Sequence, residues 1–144
     1  MAILTLRSSE YEVPARVEQN TRKTMPRIML TYWESTELQR GDERVDVQLD
    51  GVHRVSGVVL SMGLSAEAYP RRLRIETSRD GTTWNTAAEE APAGMAFSAI
   101  IRNFARAQLS FRVPDVETQY LRLRQLGRDP HGFWVIRDIT VLGQ

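Results

Sequence analysis

Apolar and polar residues alternate with a period of two along much of the chain. Residues 108–113 set Leu109, Phe111 and Val113 against Gln108, Ser110 and Arg112. Residues 72–77 set Leu73 and Ile75 against Arg72, Arg74 and Glu76, and residues 120–124 set Leu121 and Leu123 against Arg122 and Arg124. Val45, Val47 and Leu49 repeat the pattern. Such alternation marks strands with one face on a core and one in water. Residues 53–62 are more continuously apolar, which predicts a strand covered on both faces over part of its length. Residues 134–142 alternate imperfectly, and a bulge near Val135 and Ile136 would return Ile139 and Val141 to the core side. No helix of several turns is predicted; residues 95–107 are read as one short turn at most.

Turn residues divide these runs. Asp50-Gly51 falls between the strands near 44–49 and 54–62, and Arg79-Asp80-Gly81 between those near 72–78 and 83–88. Asp-Gly between alternating runs predicts a hairpin, because both residues tolerate the backbone angles of tight turns. Pro114-Asp115-Val116-Glu117-Thr118 reads as a third short connection. If consecutive strands are antiparallel, parity places these three connections at one end of the domain. The longer segments 19–41, 63–71, 89–105 and 126–133 then gather at the other. Long loops on a rigid scaffold are where binding residues concentrate, so that end is the expected functional one.

Composition narrows the function classes. The 144 residues fit one domain, read as 1–144, with 42% hydrophobic and 26% charged residues. A net charge of +1 offers no field for nucleic acid, which is not expected as a partner. Without cysteine, disulfides, thiolate zinc sites and thiol nucleophiles are excluded. The N-terminal apolar run breaks at Arg7, so the start reads as neither signal peptide nor membrane span, and no direct membrane insertion is expected. The chain is then either cytoplasmic or a piece of a longer exported or membrane-anchored protein.

Four elements, in order and spacing, resemble discoidin-like domains of the factor V/VIII type C group, related to family 32 carbohydrate-binding modules. Trp33-Glu34-Ser35 stands where that family has an early W-x-S element. Ser78-Arg79-Asp80-Gly81-Thr82-Thr83-Trp84 is similar to its S-x-D-G-x-x-W hairpin. Tyr120-Leu121-Arg122-Leu123 resembles a central strand, and residues 133–143, from Phe133 and Trp134 to Leu142 and Gly143, resemble the closing strand. The resemblance spans about residues 10–143 and implies a jelly-roll-like antiparallel β-sandwich of about eight strands. Residues 69–74 and 123–130 are also similar to a bacterial variant at the C-terminus of large membrane proteins resembling glycosyltransferases. The family's members bind glycans, lipid head groups or proteins through loops at one end, and many hold a structural calcium. Here the calcium loop reads Pro26-Arg27-Ile28-Met29-Leu30-Thr31-Tyr32-Trp33, with no carboxylate. Calcium needs several oxygen ligands, some of them charged, so no metal or other cofactor is expected.

The candidate ligand-binding residues lie in the long loops. Arg128, Asp129, His131 and Phe133 combine a ring face with hydrogen-bonding groups, a set suited to sugar C–H and hydroxyl contacts. The alternative is a plain turn with Phe133 beneath it. Tyr69 and Arg71 flank Pro70 in another loop, where the resemblance implies an arginine ligand. Arg102 and Asn103 are weaker candidates. Trp33, Trp84 and Trp134 are read as the structural core motif, with sugar stacking as the alternative. Arg72, Arg74, Arg122 and Arg124 are read as a solvated sheet face rather than a phosphate-binding strip. No catalytic residue is assigned: Glu89 and Glu90 point apart if extended, no nucleophile motif occurs, and His53 and His131 are expected at opposite ends.

The expected function is a non-catalytic binding module for carbohydrate or glycoconjugate. The alternative is a protein–protein or intramolecular accessory domain of a larger, glycosyltransferase-like protein, which the apolar run Met25, Ile28, Met29 and Leu30 keeps open. The resemblance favours an extracytoplasmic location if a longer chain exists.

Overall fold

A computed structural model describes the backbone of residues 3–8, 12–16, 33–35 and 37–143, and the side chains of residues 34, 35 and 37–143. The alternating runs form strands, and the described strands are β1 (Ile3–Ser8), β2 (Glu12–Arg16), β3 (Trp33–Glu34), β4 (Arg44–Gly63), β5 (Leu73–Ser78), β6 (Asn85–Glu90), β7 (Ala107–Gln125), β8 (Val135–Ile136) and β9 (Asp138–Gly143). One antiparallel sheet has the order β2-β1-β4-β7-β5-β6, with β9 also on β4, and β3 pairs β8 separately. The fold is an all-β sandwich.

Two long strands build both layers. The first part of β4 pairs β7 from Arg44↔Arg124 to Gln48↔Tyr120, and the second part from Gly57↔Arg112 to Gly63↔Ala107. Between them the register shifts at Gln48/His53 and again at Val55/Gly57, so the sheet bends over on itself. The first half carries β1, β2, β5 and β6; the second carries β9. Val45, Val47, Leu121, Leu123, Leu73 and Ile75 from one half meet Val58, Leu60, Met62, Leu109, Phe111 and Ile139 from the other in a single core cluster. The irregularity near Ser56 matters for this packing. Inward residues have odd numbers up to Val55 and even numbers from Val58, because one extra residue inverts strand parity.

Three expectations are corrected. Asp50-Gly51 is not a hairpin but lies within β4, at the bend. Residues 114–118 likewise lie within β7, and Pro114, which cannot donate to a ladder, falls in its register shift. Residues 93–102 form a helix, α1 (Ala93–Arg102), followed by a 3-10 turn at Phe104–Arg106, where only one short turn was expected. The helix is held by Ala96, buried in the core cluster, with Met95, Ala99 and Ile100 packed against it.

The second Asp-Gly pair does make a hairpin, between β5 and β6. Gly81 takes φ +75°, and Asp80 Oδ1 accepts from the Thr82 and Thr83 amides, both at 2.8 Å. Gly51 has no positive φ, and the Asp50 carboxylate instead meets His53 Nε2 at 2.6 Å. The side chain of Asp80 closes its own turn. The closing segment is a change of sheet at Arg137 rather than a bulge, since β8 pairs β3 and β9 pairs β4. Ile139 is nonetheless in the core, with Val141 packed against it.

Candidate functional site

The long-loop end is organised around two buried glutamine amides. Gln39 is 2% exposed. Its Nε2 donates to the carbonyls of Tyr69 (3.0 Å) and Phe133 (3.2 Å), and its Oε1 accepts from the Arg71 amide (3.0 Å). Its own backbone donates to Gly132 O and accepts from the Asp129 amide. Gln125, fully buried at the end of β7, accepts from the Arg72 and Gly127 amides and donates to Gly127 O and Glu43 Oε2. Glu43 Oε1 and Oε2 in turn accept from the amides of Arg40 and Gly41. Segments 37–43, 69–72 and 125–133 are thus pinned together through backbone groups, which a loop end must satisfy when it is packed. The packing is close: a Cβ on Gly127 would lie 2.5 Å from the Arg71 Cβ.

Arg71 and Asp129 link two of these segments. Arg71 Nε and Nη2 donate to Asp129 Oδ2 at 2.9 and 2.5 Å, and Nη1 donates to Tyr69 O at 3.3 Å. The guanidinium lies 3.9 Å from the Tyr69 ring centroid, so that ring face is taken. Asp129 Oδ1 accepts from the His131 amide at 2.9 Å. That bond first, and Arg71 second, hold the Asp129 carboxyl below its ordinary range. Phe133 is 38% exposed, while Trp134 behind it is completely buried. The segment is therefore a turn closed by Asp129 that leaves Phe133 partly exposed.

The structure brings Tyr69, Arg71, Asp129 and Phe133 together through Gln39. His131 and Arg128 are exposed beside Asp129, and Arg128 makes no ion pair among the described residues. Arg102 and Asn103 are exposed at the end of α1, outside this network. The Trp33 side chain, Tyr32 and the expected calcium loop at 26–32 lie outside the described residues, as do Met25, Ile28, Met29 and Leu30. Among the described residues no group of three or more His, Asp or Glu could hold a metal ion.

Trp84 departs from the core position expected of it. It is half-buried and outside the core cluster, with the Arg122 guanidinium 3.8 Å from its ring centroid. The reason is its parity. Trp84 is two residues before Thr86, which stands in a cross-strand row with Glu76, Arg122 and Asp46 on the outer face. On that face Arg122 pairs Asp46 (2.8 and 3.1 Å), and Arg72 and Arg74 both reach Glu89. Arg124 and Arg74 flank the buried Glu76. The arginine strip is neutralised by acids, as a solvated face requires.

The bend of β4, the β5–β6 hairpin and the irregular middle of β7 share the opposite end. Arg79 pairs Glu117, Arg54 lies 3.8 Å from Asp115, and the Ser78 amide donates to the buried Thr118 hydroxyl. A shallow groove of about 390 Å³ there is lined by Thr77, Ser78, Arg79, Asn85, Asp115, Val116 and Glu117. It offers no aromatic ring.

Known proteins share this fold. The family model for the F5/8 type C domain matches residues 5–139. The chain belongs to the F5/8 type C domain family. Solved structures share the fold at low identity. A pectin-binding carbohydrate-binding module has a TM-score of 0.60 at 20% identity, covering 96% of this chain and 89% of that one. A family 32 module from Clostridium perfringens, in complex with GalNAc-β-1,3-galactose, has a TM-score of 0.63 at 10% identity, covering 99% and 100%. The C-terminal domain of a chitobiase from Bacteroides fragilis has a TM-score of 0.59 at 18% identity, covering 79% and 73%. No curated protein matches in sequence. Within this F5/8 type C domain, the family's S-x-D-G-x-x-W element is the β5–β6 hairpin closed by Asp80.

Sequence reasoning missed Gln39, Gln125 and Glu43. Gln125 carried a signal, since it continues the inward parity of Leu121 and Leu123. Gln39 carried none, because a glutamine in a polar loop is ordinarily exposed.

Proposed function

We propose that this F5/8 type C domain is a non-catalytic carbohydrate-binding module whose ligand contacts Phe133, His131, Arg71 and Arg128. One observation carries the reading: partly exposed Phe133 lies on a loop whose backbone Gln39 ties to the segment bearing the Arg71–Asp129 pair. A ring face accepts the C–H side of a sugar, and the polar groups beside it match hydroxyls. Rigid presentation lowers the ordering cost of binding. The sugar-binding neighbours above support the same class. An extracytoplasmic location suits such ligands, and no helix among the described residues is long and apolar enough to cross a membrane.

The test is a two-dimensional NMR titration with a panel of galacto- and N-acetylgalactosamino-oligosaccharides. Shifts at residues 69–72 and 128–134 are expected, and Phe133→Ala weakens binding about tenfold, the equivalent of ~1.4 kcal/mol. If those amides stay silent while residues 77–85 and 115–117 shift, the site is at the wrong end. Binding is taken to be calcium-independent, so EDTA leaves the titration unchanged.

A second reading, docking onto a protein, is favoured by α1. Phe97, Ile101 and Phe104 are 66%, 69% and 56% exposed. No acid occurs between Ala91 and Pro114, while Arg102 and Arg106 are exposed there, so an acidic, apolar surface would complement it. Glycan shifts confined to α1 would favour neither site, and crosslinks from α1 to a parent chain would favour docking.

A further inference from the structure

We propose that the Arg71–Asp129 pair makes the site select uncharged glycans over carboxylate-bearing ones, with Asp129 the specificity-determining residue. The inference rests on the glycan-binding reading above. A free arginine at this end would attract acidic sugars, because guanidinium and carboxylate match as bidentate partners. Arg71 is not free. Its Nε and Nη2 are held by Asp129 Oδ2, its Nη1 reaches Tyr69 O, and its face covers the Tyr69 ring. Of five guanidinium hydrogens, one on Nη1 and one on Nη2 are left to donate, which suits a hydroxyl oxygen.

The charges around the pair point the same way. A ligand carboxylate reaching Arg71 would also approach Asp129, only 13% exposed and with both oxygens already accepting. Glu43 adds a further carboxylate at this end, held by backbone amides and Gln125 rather than by a cation. Glu37 and Arg40 cancel each other. Arg128, exposed and in no ion pair among the described residues, is the opposing charge, and salt screens its pull on an acidic ligand.

The test pairs ligands that differ only at C6: galacto-oligosaccharides and galacturono-oligosaccharides of equal length. Both are titrated by NMR and calorimetry at neutral pH and two salt concentrations, into the wild type and Asp129→Asn. Asparagine keeps an acceptor for the His131 amide while removing the charge. The expected result is at least tenfold preference for the neutral series in the wild type at the higher salt concentration, where Arg128 is screened. In Asp129→Asn, acidic-series affinity rises about tenfold and becomes more salt-dependent. Equal or tighter binding of the acidic series by the wild type at that salt concentration overturns this inference and leaves the glycan reading standing. An unchanged preference in a folded Asp129→Asn overturns the role of Asp129. If neither series, nor any sugar of the earlier panel, shifts the loop amides, the glycan reading falls and this inference with it. Should Asp129→Asn fail to fold, the wild-type preference and its salt dependence decide.

Discussion

Replacing Gln39 by alanine removes the amide that joins three loops. The side chain makes three hydrogen bonds, to Tyr69 O, to Phe133 O and from the Arg71 amide, and the residue is 2% exposed. A buried hydrogen bond contributes about 1 kcal/mol net, so the three together give a loss of about 3 kcal/mol. For a chain of this length the unfolding entropy is roughly 300 cal/mol/K, which converts that loss to a fall in Tm of about 10 °C. Urea unfolding read by tryptophan fluorescence and calorimetry both report it. Gln39→Glu is the discriminating second variant. It keeps the volume but sets a carboxylate against two carbonyls, so at neutral pH it should be at least as damaging as alanine. Burial against two carbonyls raises that carboxyl's folded-state pKa, so its deficit should shrink as pH falls toward about 4, where the protonated acid has regained one donor. If Gln39→Ala costs less than about 1 kcal/mol at unchanged m-value, water replaces the amide and the loops are not held by it. The same variant should broaden or move the amide signals of Arg71 and Asp129, since both bond to Gln39.

Other expectations follow from local geometry. Trp134→Ala, at a fully buried ring, should cost about 3–5 kcal/mol, whereas Trp84→Ala should cost clearly less and leave the core unchanged; equal losses in urea titrations would contradict their placements. Gly127→Ala should destabilise by about 1–3 kcal/mol and shift the Arg71 and Arg72 amides, because its Cβ would meet Arg71 C and Arg72 N at 2.9 Å. Asp80 is held far below its ordinary range by the Thr83 and Thr82 amides and then the Ser78 hydroxyl. A depressed folded-state value means stability present above about pH 4 and lost as pH falls further, so acid titration should show a declining Tm. Asp80→Asn should flatten that decline without abolishing it, because Asp50, Glu89 and Asp129 are also lowered; an unchanged profile would remove Asp80 from the account.

Strand content was legible because period two survives wherever a strand keeps one wet face, as in residues 72–77 and 120–124. The β5–β6 hairpin was legible for a further reason: Asp80 and Gly81 supply both the cap and the positive φ that the turn uses. What escaped depends on contacts remote in sequence. Gln39 is buried by partners up to 94 residues away, and no local pattern encodes that. Helix α1 was missed because apolar residues lie on both of its faces: Met95, Ala96, Ala99 and Ile100 pack inward while Phe97 and Ile101 face outward. Hydrophobic periodicity cannot identify an inner face when large apolar residues also occupy the outer one. Trp84 was misjudged by residue type, although its parity with Thr86 and Arg122 was readable.

Strand parity still gathers the long loops at one end although two of the three expected turns are not turns. A hairpin reverses the chain within one sheet, so its arms exchange ladder hydrogen bonds. The bend in β4 reverses the chain between layers, and its arms exchange core contacts instead, as Val45 and Val47 do with the cluster containing Val58 and Leu60. Either reversal returns the chain to the end it came from. Asp-Gly and Pro mark where the backbone leaves a regular ladder, but not whether it leaves in the plane or out of it. The position of the loops depends only on the reversal, so Arg71 and Asp129 meet for the same reason under both readings. Which face of each strand is buried does depend on the kind of reversal. The one extra residue of β4 against β9, at Ser56, sets that face: without it, Val58, Leu60 and Met62 would point to solvent, and the second layer would have no core to close on.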